Sequence, residues 1–160
     1  MLISMRWGGV TERGNPGTSS RAVLRDLMTT RVATTRPDAS VAEAAAGMVE
    51  ANVGSTVVMQ GTFLAGILTE RDVLKAAASG TDLSASKVSE WMTPDPQSAG
   101  PDTPAEEAAQ IMLMNGFRHL PVVDDHTVCG VVSLRDLFAA RIRRPPRSRP
   151  QAVDNHAASP

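Results

Sequence analysis

Apolar positions along the chain follow two alternating rhythms, and the same succession of rhythms occurs twice. Around Val41, Ala44, Ala45, Met48 and Val49 they recur at the spacing of a helix with one buried face. The same spacing returns at Ala105, Ala108, Ala109, Met112 and Leu113. Ser40 stands as the N-cap of the first helix with Glu43 at the capping-box position, and Pro104 suits the first turn of the second, after Thr103. Each helix is followed by two runs that read as strands, "STVVMQ" with "TFLAGILT" and "HLPVVDD" with "TVCGVVS". Gly61 and Asp124–Asp125 separate the runs where tight turns fit. The later strand of each pair is apolar almost throughout, as a strand covered on both faces should be. A short helix ("VLRDLMT", "KVSEWMT") and an extended piece near Thr34 or Ser98 precede each set, and a last helix follows from Glu70 and from Leu134.

The recurrence is a duplication. At an offset of 64, Leu24–Lys75 matches Val88–Ala139 without a gap, with twelve identities in 52 positions. Met28/Met92, Gly66/Gly130, Arg71/Arg135 and Asp72/Asp136 are among them. One unit alone is too small to bury a sheet on both sides, whereas two packed together are not. The expectation is an α/β (α+β) fold of tandem units at 21–80 and 84–142. The flanks, 1–20 and 143–160, are rich in Gly, Ser, Pro and Arg and are expected to be flexible.

Composition narrows the function. The chain has 160 residues, 42% of them hydrophobic, and no apolar run approaches the roughly 20 residues of a membrane span. Its first twenty residues lack the apolar core and cleavage site of a secretory signal, so the expected location is cytoplasmic. The single cysteine, Cys129, lies within an apolar run and is read as a core thiol, which leaves no disulfide framework or zinc cluster within one chain. A net charge of −1 hides an imbalance: residues 21–140 carry nine Lys/Arg against fifteen Asp/Glu, and 141–160 carry five Arg against one Asp. An acidic body argues against a nucleic-acid reader. The tail "RIRRPPRSRP" is the one feature that could contact nucleic acid or an acidic partner.

The repeated turn, "LTERD" and "VSLRD", carries the candidate chemistry. Thr69 and Ser133 end a buried strand where a helix N-cap is expected, and Asp72 and Asp136 lie three residues on. A capping box alone accounts for that spacing and contributes about 1 kcal/mol. The same place also suits a ligand. A carboxylate accepts two hydrogen bonds at once, as the two hydroxyls of a ribose can donate, and a helix start favours an anion. Arg71 and Arg135 supply positive charge that an acidic body lacks.

The order Met-Thr, helix, "HLPVVD", "GVVS-x-x-D" resembles the CBS domain, and two copies in tandem resemble a CBS pair, or Bateman module. The resemblance implies two β-α-β-β-α repeats packed sheet to sheet by pseudo-twofold symmetry. It implies two clefts for an adenine nucleotide (AMP, ADP or ATP) or S-adenosylmethionine as a regulatory ligand, with no cofactor required. By position, Asp72 and Asp136 would hold ribose, and Thr69 and Ser133 would contact phosphate, helped by Arg71 and Arg135. Segments at Ala33–Thr34 and Gln97–Ser98, with strand starts around Thr56 and His119–Pro121, would sandwich the base, and Arg118 with His119 could meet phosphate. The resemblance further implies a homodimer and a separate effector protein. The first unit departs from it in reading "GSTVVM" where the second reads "RHLPVV", losing the Arg-His pair and the proline.

Other candidates carry less. His119, His126 and His156 show no metal-ligand spacing, and Glu106–Glu107 and Asp124–Asp125 suit a helix start and a turn rather than catalysis. Neither a Walker loop nor GxGxxG occurs. The expected function is therefore a non-catalytic sensor module. The alternative is a structural or interaction protein with empty clefts, working through its Arg-rich tail.

Overall fold

The computed structural model describes residues 22–143, which leaves the expected N-terminal tail and the Arg-rich tail beyond Arg143 outside the described residues. The first half contains β1 (Thr34–Thr35), α1 (Val41–Ala51), β2 (Ser55–Gln60), β3 (Phe63–Thr69) and α2 (Glu70–Ala78). The second contains β4 (Thr93–Pro94), α3 (Ala105–Asn115), β5 (His119–Asp124), β6 (Thr127–Ser133) and α4 (Leu134–Arg143). Strand pairs β2–β3 and β5–β6 are antiparallel hairpins, turned at Gly61 in one and at Asp125 and His126 in the other, all with positive φ. The Ser40 capping box forms as expected, with the Glu43 amide donating to Ser40 Oγ at 3.1 Å and the Ser40 amide to Glu43 Oε2 at 2.9 Å. Pro104 sits one place before its expected position, as the N-cap of α3. Its fixed φ fits either place, while its ψ of 137° keeps it outside the helix.

The opening short helices prove to be single 3-10 turns, Leu24–Asp26 and Val88–Glu90, and each packs into the other half. The exchange is reciprocal at the offset of 64. Thr29 bridges Val131 on β6, and Thr93 pairs with Ile67 on β3, which brings β4 into the first sheet, ordered β1-β2-β3-β4. The Leu24 amide donates to Thr103 O at 3.0 Å, and the Val88 amide to Ala39 O at 2.9 Å. Val23 bridges Pro104 as Lys87 bridges Ser40. These equivalences are the pseudo-twofold symmetry, and β3 and β6 meet where the two sheets touch.

Two hydrophobic cores follow the exchange rather than the sequence repeat. One gathers Ala108, Met112, Leu120, Val122, Val132 and Leu137 around Leu24 from the chain's start. The other gathers Ala44, Met48, Val58 and Leu68 around Val88, with Trp91 and Met92 against it. Leu24 and Val88 are fully buried, each worth about 1.5–3 kcal/mol. The repeated Met and Gly have one explanation here. A Cβ at Gly130 would stand 2.5 Å from Met28 Sδ, and a Cβ at Gly66 2.5 Å from Met92 Sδ, so each glycine is the seat of the other half's methionine. Cys129 is half-buried beside the core around Leu24, its thiol donating to Val122 O at 3.4 Å. No described helix is long and apolar enough to cross a membrane.

Candidate functional site

Two clefts open between the halves, and they correspond under the same offset. The larger, about 790 Å³, is bounded by Ser133–Asp136 at the foot of α4, by Arg31–Ala33 leading into β1, and by Asn52–Ser55 between α1 and β2. The smaller, about 400 Å³, is bounded by Thr69–Asp72 at the foot of α2, by Asp95–Gln97, and by Asn115–His119 between α3 and β5. Each cleft thus joins the last helix of one half to the connections of the other. Asn52 (φ 53°) and Gly116 (φ 74°) end their helices in the left-handed conformation, and the reversal delivers the next residues to the cleft wall.

At both helix feet the carboxylate is anchored through a single oxygen. Asp72 Oδ2 accepts from the Thr69 amide at 3.0 Å and from its hydroxyl at 2.6 Å. Asp136 Oδ2 accepts from the Ser133 amide at 3.2 Å and from its hydroxyl, while the Asp136 amide donates back to Ser133 Oγ at 3.2 Å. The cap therefore uses Oδ2 alone and leaves Oδ1 outside it at both helix feet. The remaining oxygens differ between the clefts. Lys75 Nζ lies 3.4 Å from Asp72 Oδ1, whereas Ala139 holds the matching position in α4 and, among the described residues, Asp136 Oδ1 accepts no hydrogen bond. Thr69 and Ser133 give their hydroxyl protons to the aspartates, so a phosphate contact there requires that proton to turn away.

The other expected residues divide cleanly. Arg135 borders the larger cleft and Arg71 the smaller, and Arg118 and His119 border both. Thr34 and Ser98 lie outside the clefts and are exposed, while Thr56 and Pro121 are buried within the sheets. Successive side chains of an extended segment point to opposite sides, so Ala33, Gln97 and Ser55, one residue before Thr34, Ser98 and Thr56, reach the clefts instead, and His119 at the start of β5 lines them rather than Pro121. Sequence reasoning missed Arg31, Asp95 and Glu70. Arg31 and Asp95 are equivalent under the offset, but they are not identical and so carry no repeat signal.

Glu70 and His119 form the wall between the clefts. A Cβ added at Gly54 would come within 3.4 Å of Glu70 Oε2 and 3.5 Å of His119 Nε2, which places both side chains against that glycine. Burial holds His119 below the ordinary histidine range, against the pull of the Glu70 carboxylate and with help from the Arg118 charge. Among the described residues, no group of three or more His, Cys, Asp or Glu could hold a metal ion.

Swapped opening turns, two contacting sheets and paired clefts floored by anchored carboxylates define a duplicated β-α-β-β-α module. Residues 24–79 and 88–143 each match the CBS domain model, and the chain belongs to the CBS-domain family. It is 40% identical over 115 residues to the CBS domain-containing protein YhcV of Bacillus subtilis, covering 71% of this chain and 81% of that one. An uncharacterized 17.7 kDa protein of Acidianus ambivalens is 44% identical over 119 residues, 73% of this chain and 71% of the other. Among solved structures, the CBS domain pair of MJ0100, in complex with 5-methylthioadenosine and S-adenosyl-L-methionine, superposes with a TM-score of 0.71 at 26% identity. That match covers 77% of this chain and 98% of MJ0100's.

Proposed function

We propose that this chain is a non-catalytic sensor module that binds an adenosyl ligand between its halves and signals to a separate effector protein. The observation that carries the reading is the second carboxylate oxygen at the foot of α4, Asp136 Oδ1, which accepts no hydrogen bond among the described residues. A buried or half-buried carboxylate oxygen is costly to leave unpaired, and a ribose hydroxyl satisfies it with a charge-assisted bond. The helix start adds a field that favours an anion, and Arg31, Arg118 and Arg135 stand around the same cleft. The structural likeness to MJ0100 supports the ligand class.

Because each cleft is built from both halves, a bound ligand bridges them and changes their relative orientation, the movement an effector would read. Self-association belongs to the proposal as well. Val49 and Leu113, and Leu74 and Phe138, are two repeat-related pairs of exposed apolar residues on the helices, suited to a second copy.

A thermal-shift screen with AMP, ATP, S-adenosylmethionine and 5-methylthioadenosine tests the ligand class. A ligand present at about 100 times its Kd adds about 2.7 kcal/mol of stability. Calorimetry then tests the residues: loss of the aspartate should weaken binding about tenfold to a thousandfold. Unchanged affinity in both Asp72→Ala and Asp136→Ala removes the assigned role.

A further inference from the structure

The duplication offers an internal control, because any difference between the clefts is a difference in side chains placed by the same backbone plan. The sharpest such difference is a reversal of charge. Arg31 borders the larger cleft, and 64 residues later Asp95 borders the smaller one. Both are exposed, and among the described residues neither takes part in an ion pair. A second difference points the same way. Arg118 borders both clefts and Arg135 has its counterpart in Arg71, but the smaller cleft's further cation, Lys75, is already turned to the carboxylate at the foot of α2, whereas among the described residues Arg31 takes part in no ion pair. The larger cleft also has about twice the volume.

Resting on the reading above, we propose that the two clefts sort adenosyl ligands by charge. The larger cleft takes the phosphate-bearing ligand and the smaller takes an uncharged or cationic one, with Arg31 and Asp95 as the residues that set the preference. An arginine offers a polyphosphate a planar fork of donors and a full charge, and its bonds to phosphate are of the strong, charge-assisted kind. An aspartate at the same place repels phosphate. Its charge is compatible with a neutral thioether or attracts a sulfonium.

The test uses the whole chain and three probes that share adenosine and differ in charge: adenosine, ATP and S-adenosylmethionine, each titrated by calorimetry. ATP should fill one tight site per chain. Arg31→Asp should weaken that site about tenfold to a hundredfold while leaving adenosine within about twofold, and Arg31→Gln should give a smaller loss in the same direction. Asp95→Asn removes the opposing charge and tolerates the φ of 44° at this position. It should add a second ATP site, or strengthen a weak one several-fold, and weaken S-adenosylmethionine. Melting of each variant without ligand reports that the fold is retained. Equal ATP affinity at two sites of the native chain would overturn the assignment alone. So would an ATP affinity that Arg31→Asp leaves unchanged while adenosine still binds. Failure of all three probes to bind would overturn the underlying function as well.

Discussion

The two clefts share one backbone design and differ in what the duplication let drift. At the larger cleft, the wall facing Asp136 is Gly54–Ser55, while the matching wall facing Asp72 in the smaller cleft is Arg118–His119. The absence of the Arg-His pair from the first half therefore opens the cleft of the second half, because walls are exchanged. Small side chains leave room, and large ones fill it. Lys75 then closes on Asp72, while Ala139 leaves Asp136 open. A repeat that keeps its anchoring residues can thus vary the size and charge of a few rim positions without disturbing the cap that starts each helix.

The largest effect should come from breaking the exchange itself. Leu24→Ala should cost about 2–5 kcal/mol, read by denaturant unfolding. Its signature is location: amide exchange should accelerate first in β5 and β6, 95 or more residues away in sequence, rather than in the neighbouring β2 and β3. Protection lost in the first half instead would contradict the swapped cores.

Next in size is the contrast between the aspartates. Asp136→Ala should weaken the tightest adenosyl ligand by about 1.5–4 kcal/mol, and Asp72→Ala should weaken it less, because Lys75 already competes for that carboxylate. A larger loss in Asp72→Ala, measured by calorimetry, would reverse the ranking of the clefts.

The glycine seats sharpen the comparison further. Gly130→Ala should destabilise by about 1–3 kcal/mol, partly relieved by a smaller residue at Met28. The equivalent Gly66→Ala should likewise be only partly relieved through Met92. Its added Cβ also meets the Thr93 carbonyl oxygen at 3.0 Å, and backbone yields less than a methionine tip. A double-mutant cycle at each site measures the relief.

The smallest effect is on pH dependence. His119 binds its proton less readily in the folded chain than at the ordinary value of 6.5, so below that value the unfolded state binds more protons. Stability should be fully present above about pH 6.5 and decline as pH falls toward the lower folded value. Melting His119→Gln beside the native chain from pH 7.5 to pH 5.5 should show a shallower decline in the variant, about the ordinary histidine pKa. An equal decline in both would remove His119 as the cause.

The sequence by itself determined the duplicated unit, the hairpins, the long helices and the Thr/Ser-to-Asp foot of each last helix. These are local patterns: helical and alternating periodicity, a cap three residues from its partner, and residues that permit tight turns. Only the tertiary structure decided which half each opening turn serves. "VLRDLM" and "KVSEWM" present the same apolar pattern to either core, so nothing local distinguishes staying from exchanging. It also decided the cleft-facing register, in which Thr34, Ser98 and Thr56 give way to the residues before them, because one step along an extended chain reverses the side-chain direction. And it alone set Arg31 and Asp95, which the repeat aligns, at the rims of two corresponding clefts. Charge at a cleft rim has no periodicity to read, and its meaning arises only when the fold brings it to the same place twice.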